Sequence, residues 1–242
     1  QIGIVKNIFQ FDPLRRWNII DWIASNMLNN VYTNDPLNFF KTGIFNFILP
    51  GSDEINFQNE LAINSLDFIG LNYYSRMHIK GHLNSKESFT FEIRNQDKQT
   101  DMDYSIYPEG FYRALKTINK LNVPIYVTEN GVADKNDSFR SEFISKYLFS
   151  MHKALSEGID IRGYFYWSLM DNFEWAEGYK MKFGLYSVDF KTQERTLREG
   201  SKTYIEIINR KGVDDRGFLV SIGDQTPNFT MSFTDGTNAN IS

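Results

Sequence analysis

Four short apolar segments, each followed by a helical pattern, organise the chain. The segments cover residues 2–5, 67–74, 125–128 and 161–167, and their hydrophobic positions are continuous rather than alternating. Continuous runs are typical of parallel strands that are covered on both faces. Hydrophobic residues at helical spacing predict helices over residues 13–40, 108–121, 139–157 and 201–211, and residues 81–103 predict a long loop or small hairpin. The alternation predicts an α/β fold with a parallel sheet of four β–α units.

Composition and charge narrow the function classes. The 242 residues carry 26 basic and 30 acidic side chains, and the formal net charge is −4. This mild acidity argues against nucleic acid and anionic membrane surfaces as partners. The sequence has no cysteine, which excludes disulfides and thiolate chemistry, and its three histidines lie on unrelated segments. No cofactor and no metal site are therefore predicted.

Aromatic residues are concentrated in one part of the chain. Ten of them fall within residues 164–190. Aromatic rings fill protein cores, and they also stack on the flat apolar faces of ligands such as sugars. Composition alone leaves both interpretations open.

Polar side chains stand where the predicted strands end. Asn72 and Tyr74 close the second strand, Glu129 and Asn130 follow the third, and the fourth runs into residues 167–175. The carboxyl ends of parallel strands share one edge, which holds the active site in such folds. A carboxylate there, beside a phenol and indoles, is typical of glycoside hydrolysis, in which it attacks the anomeric carbon. The alternative is that Glu129 is a surface residue in a strand–turn connection.

These segments carry a resemblance to a known family. Residues 124–131, which contain Thr-Glu-Asn-Gly, resemble the nucleophile motif of family-1 glycoside hydrolases, the β-glucosidase family. Residues 68–74 resemble the family's sixth-strand motif, and residues 164–179 and 183–189 are similar to its eighth-strand glycone motif. The resemblance covers residues 1–211 and implies strands five to eight of a TIM (β/α)₈ barrel.

The resemblance implies roles for seven residues. Glu129 would be the nucleophile that forms a covalent glycosyl intermediate, Tyr74 would orient it through a hydrogen bond, and Asn72 would help to order the site. Four further residues would bind the sugar: Trp167 by stacking on the ring, Glu174 by accepting hydrogen bonds from the 4- and 6-hydroxyls, Trp175 by donating to the 3-hydroxyl, and Phe183 as a wall of the pocket.

The same resemblance implies a substrate class and a location. A carboxylate at position 174 would repel a 6-phosphate, so the expected substrates are unphosphorylated β-glucosyl or β-galactosyl residues at a non-reducing end. The expected location is cytoplasmic. The other acidic and aromatic residues of this region are predicted to pack or cap rather than to bind ligand: Asp171, Glu177, Tyr164, Tyr179 and Tyr186.

One component of retaining hydrolysis is absent from this sequence. The mechanism needs a second carboxyl group, about 5–5.5 Å from the first, to protonate the leaving oxygen. In the family this group belongs to a Thr-x-Asn-Glu-Pro motif, whereas the sole Asn-Glu pair here, at residues 59–60, is followed by Leu61. We therefore expect negligible hydrolysis by this chain alone. We also expect it to fold stably only with an N-terminal half-barrel or by self-association, because an open half-barrel exposes sheet edges. The alternative is a non-catalytic carbohydrate-binding or protein-interaction module of the same fold.

The last 31 residues differ in character from the rest. Residues 212–242 form a polar tail, and residues 215–220, 222–230 and 235–237 are similar to the opening of thioredoxin-superfamily redoxin domains. The catalytic cysteine of those domains has no counterpart in this sequence, so no redox function is predicted. The alternative is a disordered extension.

Overall fold

The computed structural model describes residues 1–48, 53–83, 87–210, 229–232 and 238–241. The strands in chain order are β1 (Gly3–Pro13), β2 (Ile44–Phe47), β3 (Ile55–Gln58), β4 (Phe68–Gly81), β5 (Phe89–Glu92), β6 (Ile125–Asn130), β7 (Ile161–Tyr166), β8 (Tyr186–Val188), β9 (Arg195–Leu197), β10 (Phe229–Ser232) and β11 (Asn238–Ile241). The α-helices are α1 (Ile19–Asn29), α2 (Asp35–Thr42), α3 (Pro108–Ile118), α4 (Arg140–Ser156) and α5 (Lys202–Arg210).

The main sheet has the order β1–β4–β6–β7, and all three pairings between these strands are parallel. Strand β5 adds to the far end of β4 as an antiparallel neighbour. Helices connect the parallel strands, and α3 and α4 pack together. The predicted α/β fold with a parallel sheet is confirmed, and the strand order is that of a partial (β/α)₈ barrel.

The two faces of the sheet differ in burial. Side chains of β4 and β6 that face the helices, such as Leu71 and Val127, are fully buried. They pack in one core with buried side chains of α3 and α4, such as Phe111 and Tyr147. On the opposite face, which would be the interior of a closed barrel, Val5 is 55% exposed. Phe165 of β7 is 37% exposed. One face of the sheet therefore has a closed core and the other is open.

The predicted helix over residues 13–40 is wrong in its bounds. Pro13 ends β1, where a proline is tolerated because the strand lies at the edge of the sheet. The helix begins only after Asn18, whose side chain accepts hydrogen bonds from the backbone N–H groups of Ile20 and Asp21. A π-helical turn over Asn30–Asn34 then separates α1 from α2.

Other sequence expectations hold with shifted ends. Strands β1 and β4 run several residues beyond their apolar cores, and the irregular stretch after Gly81 contains β5, so the hairpin interpretation is confirmed. Most of the tail and its redoxin resemblance lie outside the described residues; within it, β10 and β11 pair antiparallel. No helix of the described part is long and apolar enough to be a membrane span.

Candidate active site

Glu129 and Tyr74 meet at the carboxyl edge of the sheet. The Tyr74 hydroxyl donates a hydrogen bond of 2.7 Å to Oε2 of Glu129. Burial raises the pKa of the Tyr74 phenol, and the hydrogen bond to Glu129 and the charge of that carboxylate raise it further. Tyr74 therefore stays protonated and remains a donor at any working pH. The bond engages Oε2 and leaves Oε1 of Glu129 available to an electrophile.

An irregularity in strand β6 determines the directions of the Thr128 and Glu129 side chains. Leu71 pairs with Val127, but the next residue of β4, Asn72, pairs with Glu129, so β6 contains one extra residue at this point. In a regular strand Thr128 and Glu129 would face opposite sides of the sheet. With the shift, the side chains of Thr128 and Glu129 both contact β4. Thr128 donates a 2.6 Å hydrogen bond to Oδ1 of Asn72, and Glu129 accepts one from Tyr74. The Asn72 side chain therefore bonds to Thr128, the residue before Glu129.

Glu174 lies within electrostatic reach of Glu129. Burial raises the pKa of Glu174, hydrogen bonds from Trp167 and Asn172 oppose the rise, and the charge of Glu129 adds to it. The indole Nε1 of Trp167 donates to Oε1 of Glu174 over 3.1 Å. The structure therefore brings the predicted nucleophile, the predicted stacking residue and the predicted hydroxyl acceptor to one edge.

Phe183 and Trp175 have different surroundings. Phe183 is buried, and its ring meets that of Tyr74 edge-on, with 6.1 Å between centroids and an interplanar angle of 81°. Trp175 is 86% exposed, and its backbone is in the left-handed region with φ of 45°. The structure therefore joins Phe183 to the Tyr74–Glu129 pair and leaves the Trp175 indole open to solvent.

Two neighbouring residues, Asp171 and Tyr164, have structural contacts. Asp171 is buried, accepts a hydrogen bond from the backbone of Gly184 and forms a 2.8 Å ion pair with Arg198. The hydroxyl of buried Tyr164 donates to the side chain of Asn130 over 2.8 Å. These contacts agree with the predicted packing and capping roles of Asp171 and Tyr164.

Several residues that organise the site have no clear signal in the sequence. Tyr104 lies on the loop before α3; burial raises the pKa of its phenol and the charge of Glu174 raises it further, so the two groups are near each other. Its ring meets that of Phe9 edge-on at 5.9 Å. Arg140 is fully buried beneath the site. An arginine in the first turn of a helix ordinarily predicts solvent exposure, and three of its six partners, Tyr166, Lys182 and Phe183, are distant in sequence.

Gly131 lets the ends of β6 and β7 approach closely. The backbone N–H of Trp167 bonds to the carbonyl of Asn130 over 3.0 Å, and a Cβ on Gly131 would lie 1.7 Å from the carbonyl oxygen of Trp167. The clash is with backbone, so a side-chain rotation cannot relieve it.

We expect Gly131→Ala to lower the free energy of unfolding by about 2–3 kcal/mol. Gly158→Ala is the control, since Gly158 has φ of 87° but no atom within 4 Å of the added Cβ. Its expected cost is about 1 kcal/mol, from backbone strain alone. Urea denaturation of both variants measures the difference, and equal losses would contradict the steric explanation.

Metal chemistry has no visible support in this part of the molecule. Among the described residues, no group of three or more histidine, aspartate or glutamate side chains is placed to hold a metal ion. The chemistry available at the edge is that of carboxylates, a phenol, an amide and indoles. Such a set can supply a nucleophile and hydrogen bonds to hydroxyl groups.

Comparisons with known proteins give the family. The profile described as Glycosyl hydrolase family 1 matches residues 16–213. A Beta-galactosidase from Pyrococcus woesei is 36% identical over 200 residues, which are 73% of this chain and 39% of that protein. Beta-glucosidase A from Thermotoga maritima is 37% identical over 161 residues, which are 62% of this chain and 36% of that protein.

Solved structures of β-glycosidases are also similar to this chain. A beta-glycosidase from Pyrococcus horikoshii superposes with a TM-score of 0.75 and 37% identity, covering 85% of this chain and 47% of that one. A family 1 β-glucosidase from Thermotoga maritima superposes with a TM-score of 0.70 and 29% identity, covering 86% and 51%. The chain spans less than half the length of the two curated relatives named above. With the family profile matching most of its residues, the chain belongs to glycosyl hydrolase family 1.

Proposed function

We propose that this chain carries the nucleophile half of a retaining β-glycosidase site for unphosphorylated, terminal β-glucosyl or β-galactosyl residues. The observation that carries the proposal is the 2.7 Å hydrogen bond from Tyr74 to Glu129 at the carboxyl edge of the parallel sheet. The names of the curated relatives, Beta-galactosidase and Beta-glucosidase A, support the substrate class. Complexes of the Thermotoga maritima β-glucosidase with deoxynojirimycin and isofagomine lactam support a small sugar as ligand.

The geometry suggests how the reaction begins. Oε1 of Glu129 attacks the anomeric carbon and forms an ester bond, while the bond from that carbon to the leaving oxygen breaks. The leaving oxygen takes a proton from an acid that this chain does not supply. Water then cleaves the ester and releases the sugar. Tyr74 holds the Glu129 carboxylate in place before attack, because its hydroxyl donates to Oε2.

The remaining site residues would bind the sugar. Trp167 would stack on the ring, Glu174 would accept from the 4- and 6-hydroxyls, and Trp175 would donate to the 3-hydroxyl. Phe183 would close the wall behind Tyr74, against which its ring packs. Trp175 would need a neighbour or the sugar itself to cover its indole, since it is 86% exposed.

A covalent trap tests the proposal directly. A 2,4-dinitrophenyl 2-deoxy-2-fluoro-β-glucoside has a leaving group that departs without protonation, so it bypasses the absent acid. Its fluorine slows hydrolysis of the intermediate. We expect mass spectrometry of the digested chain to show one fluoroglucosyl group on the peptide that contains Glu129. An unlabelled chain, or a label on another residue, would contradict the assignment.

We expect Tyr74→Phe to slow this labelling roughly 10- to 100-fold, because a hydrogen bond to a charged group contributes about 1.5–3 kcal/mol. Tyr112→Phe is the matched control. The Tyr112 hydroxyl also bonds to a glutamate, Glu157, at 2.5 and 2.7 Å, but on helix α3 and outside the site. The labelling rate of the control should equal that of the parent chain. Equal rates in both variants would show that Tyr74 does not assist Glu129.

A covering partner is part of the proposal. We propose that the open face of the sheet, where Val5 and Phe165 are exposed, is covered by an N-terminal half-barrel or by a second copy of the chain. We expect the purified chain alone to turn over an aryl β-glucoside negligibly, since general acid catalysis contributes about 10²–10⁴ in rate. Analytical ultracentrifugation and a turnover assay check both points. A well-folded monomer, or turnover that Glu129→Gln removes, would show them wrong.

A second candidate function is a non-catalytic module that binds carbohydrate or protein through the same fold. The Trp175 indole, which is 86% exposed and open to a sugar or a protein surface, favours it. This alternative predicts equilibrium binding of a β-glucoside without any covalent adduct from the 2-fluoro probe, and the same affinity in Glu129→Gln. The trap therefore separates the two functions.

A further inference from the structure

Two adjoining cavities lie at the amino-terminal end of the sheet, opposite the edge that carries Glu129. The larger has a volume of about 320 Å³ and lies where the chain enters β4, at Asn64, and β6, at Asn122. The smaller has a volume of about 200 Å³ and is lined in part by Asn38 of α2 and Thr117 of α3. Neither belongs to the candidate active site.

Two lysines line both cavities. Lys41 in the last turn of α2 and Lys120 just after α3 are common to the two linings. Neither has an ion-pair partner among the described residues, and no aspartate or glutamate lines either cavity. Two positive charges thus converge on one place in a chain whose formal net charge is −4. Such a local field attracts anions.

The other lining groups suit the oxygens of an anion and the body of an organic molecule. The amide groups of Asn64 and Asn122 can donate hydrogen bonds to the larger cavity. Phe40 and Leu66 provide apolar walls. The larger volume is at the lower limit of small-molecule sites, and exceeds what a single phosphate needs.

We propose that Lys41 and Lys120 form a binding site for a small phosphate-bearing molecule at the amino-terminal end of the sheet. Ammonium groups bind phosphate as point charges, so two of them on a shared cavity can engage a doubly charged group. The site is distinct from the sugar site, where the carboxylate of Glu174 would repel phosphate. It is independent of the proposed hydrolysis.

A competing explanation involves no ligand. Cations at the last turn of a helix offset the partial negative charge of its C-terminus, and both lysines have such positions. That explanation predicts a small loss of stability on removing either lysine and no effect of anions. The proposal predicts stabilisation that saturates with phosphate and depends on both side chains.

The purified chain tests the site with pyrophosphate and inorganic phosphate as probes, by calorimetry and thermal unfolding at low ionic strength. We expect saturable binding, tighter for pyrophosphate, that weakens at least about tenfold in Lys41→Gln or Lys120→Gln and further as salt rises. Lys41→Arg should retain binding. The control Lys191→Gln, an exposed lysine between β8 and β9, should bind like the parent, and so should Glu129→Gln.

Three results would overturn the site. They are no saturable binding of either probe, equal affinity in the Lys41→Gln/Lys120→Gln double variant, or equal loss in Lys191→Gln. Circular dichroism of each variant ensures that a loss is not unfolding, which is not expected because both side chains are exposed. None of these measurements depends on hydrolysis, so failure of the phosphate site leaves the proposed function untouched.

Discussion

Glu129→Gln is expected to abolish formation of the fluoroglucosyl adduct completely. The amide keeps the size of the side chain and an oxygen that can accept the hydrogen bond from Tyr74, so the local packing is preserved. It removes the negative charge that attacks the anomeric carbon, and a neutral amide is a far weaker nucleophile. Intact-mass measurement of parent and variant after equal exposure to the probe gives the result directly.

Glu174→Gln and Glu177→Gln are the controls for this loss. Glu174→Gln weakens a predicted contact with the sugar, so labelling should slow but still occur on Glu129. Glu177 lies in the short 3₁₀ turn after Glu174 and is predicted to have no ligand contact, so its variant should label normally. If Glu129→Gln still acquires the label, or if the label in the parent chain is found on Glu174, the nucleophile assignment is wrong.

The same variant has a second, independent consequence. The charge of Glu129 is one cause of the raised pKa of Glu174. Removing that charge lowers the cost of ionising Glu174, so its pKa should fall in Glu129→Gln. The direction follows from like-charge repulsion, and burial still holds the pKa above its ordinary value.

The sequence predicts much of this edge because parallel α/β architecture fixes where polar strand ends meet. Continuous apolar runs locate the four strands, and the residues that follow them must then share one edge. Tyr74 and Glu129 are 55 positions apart, yet adjacent parallel strands bring both residues to this edge. The resemblance to the family predicts the roles of these residues, whereas the alternation of strands and helices predicts that they share one edge.

What the sequence could not predict depends on contacts that no periodicity encodes. The extra residue at Thr128 in β6 is visible only in the pairing with β4. The predicted helix does not begin at residue 13, because Pro13 still belongs to an edge strand. Apolar spacing does not distinguish the end of that strand from the start of a helix. Arg140 was missed because five of its partners are carbonyl or hydroxyl oxygens on other segments.

Arg140→Met is expected to destabilise the fold by about 3–5 kcal/mol, the range for removing one partner of a buried charge. The guanidinium donates to the carbonyls of Val132 and Asp134 after β6, and to those of Lys182 and Phe183. It also bonds to the Tyr166 hydroxyl and to Asp137. Methionine fills similar space but leaves these acceptors without donors and the carboxylate without its charge partner. For a domain of this size we expect a drop of about 6–20 °C in melting temperature.

Arg162→Met is the matched control for that loss. Arg162 also forms a two-bond ion pair, with Asp160 at 3.0 and 2.8 Å, but its side chain is 53% exposed. An exposed pair contributes about 1 kcal/mol or less. Urea denaturation at matched protein concentration compares the loss of unfolding free energy in the two variants. The loss in Arg140→Lys should lie between them, because the three donors of an ammonium group cannot replace the planar fork of the guanidinium. Losses within about 1 kcal/mol of each other would show that burial does not set the importance of Arg140. Because Arg140 holds the carbonyl of Phe183, whose ring packs on Tyr74, the variant should also slow labelling of Glu129.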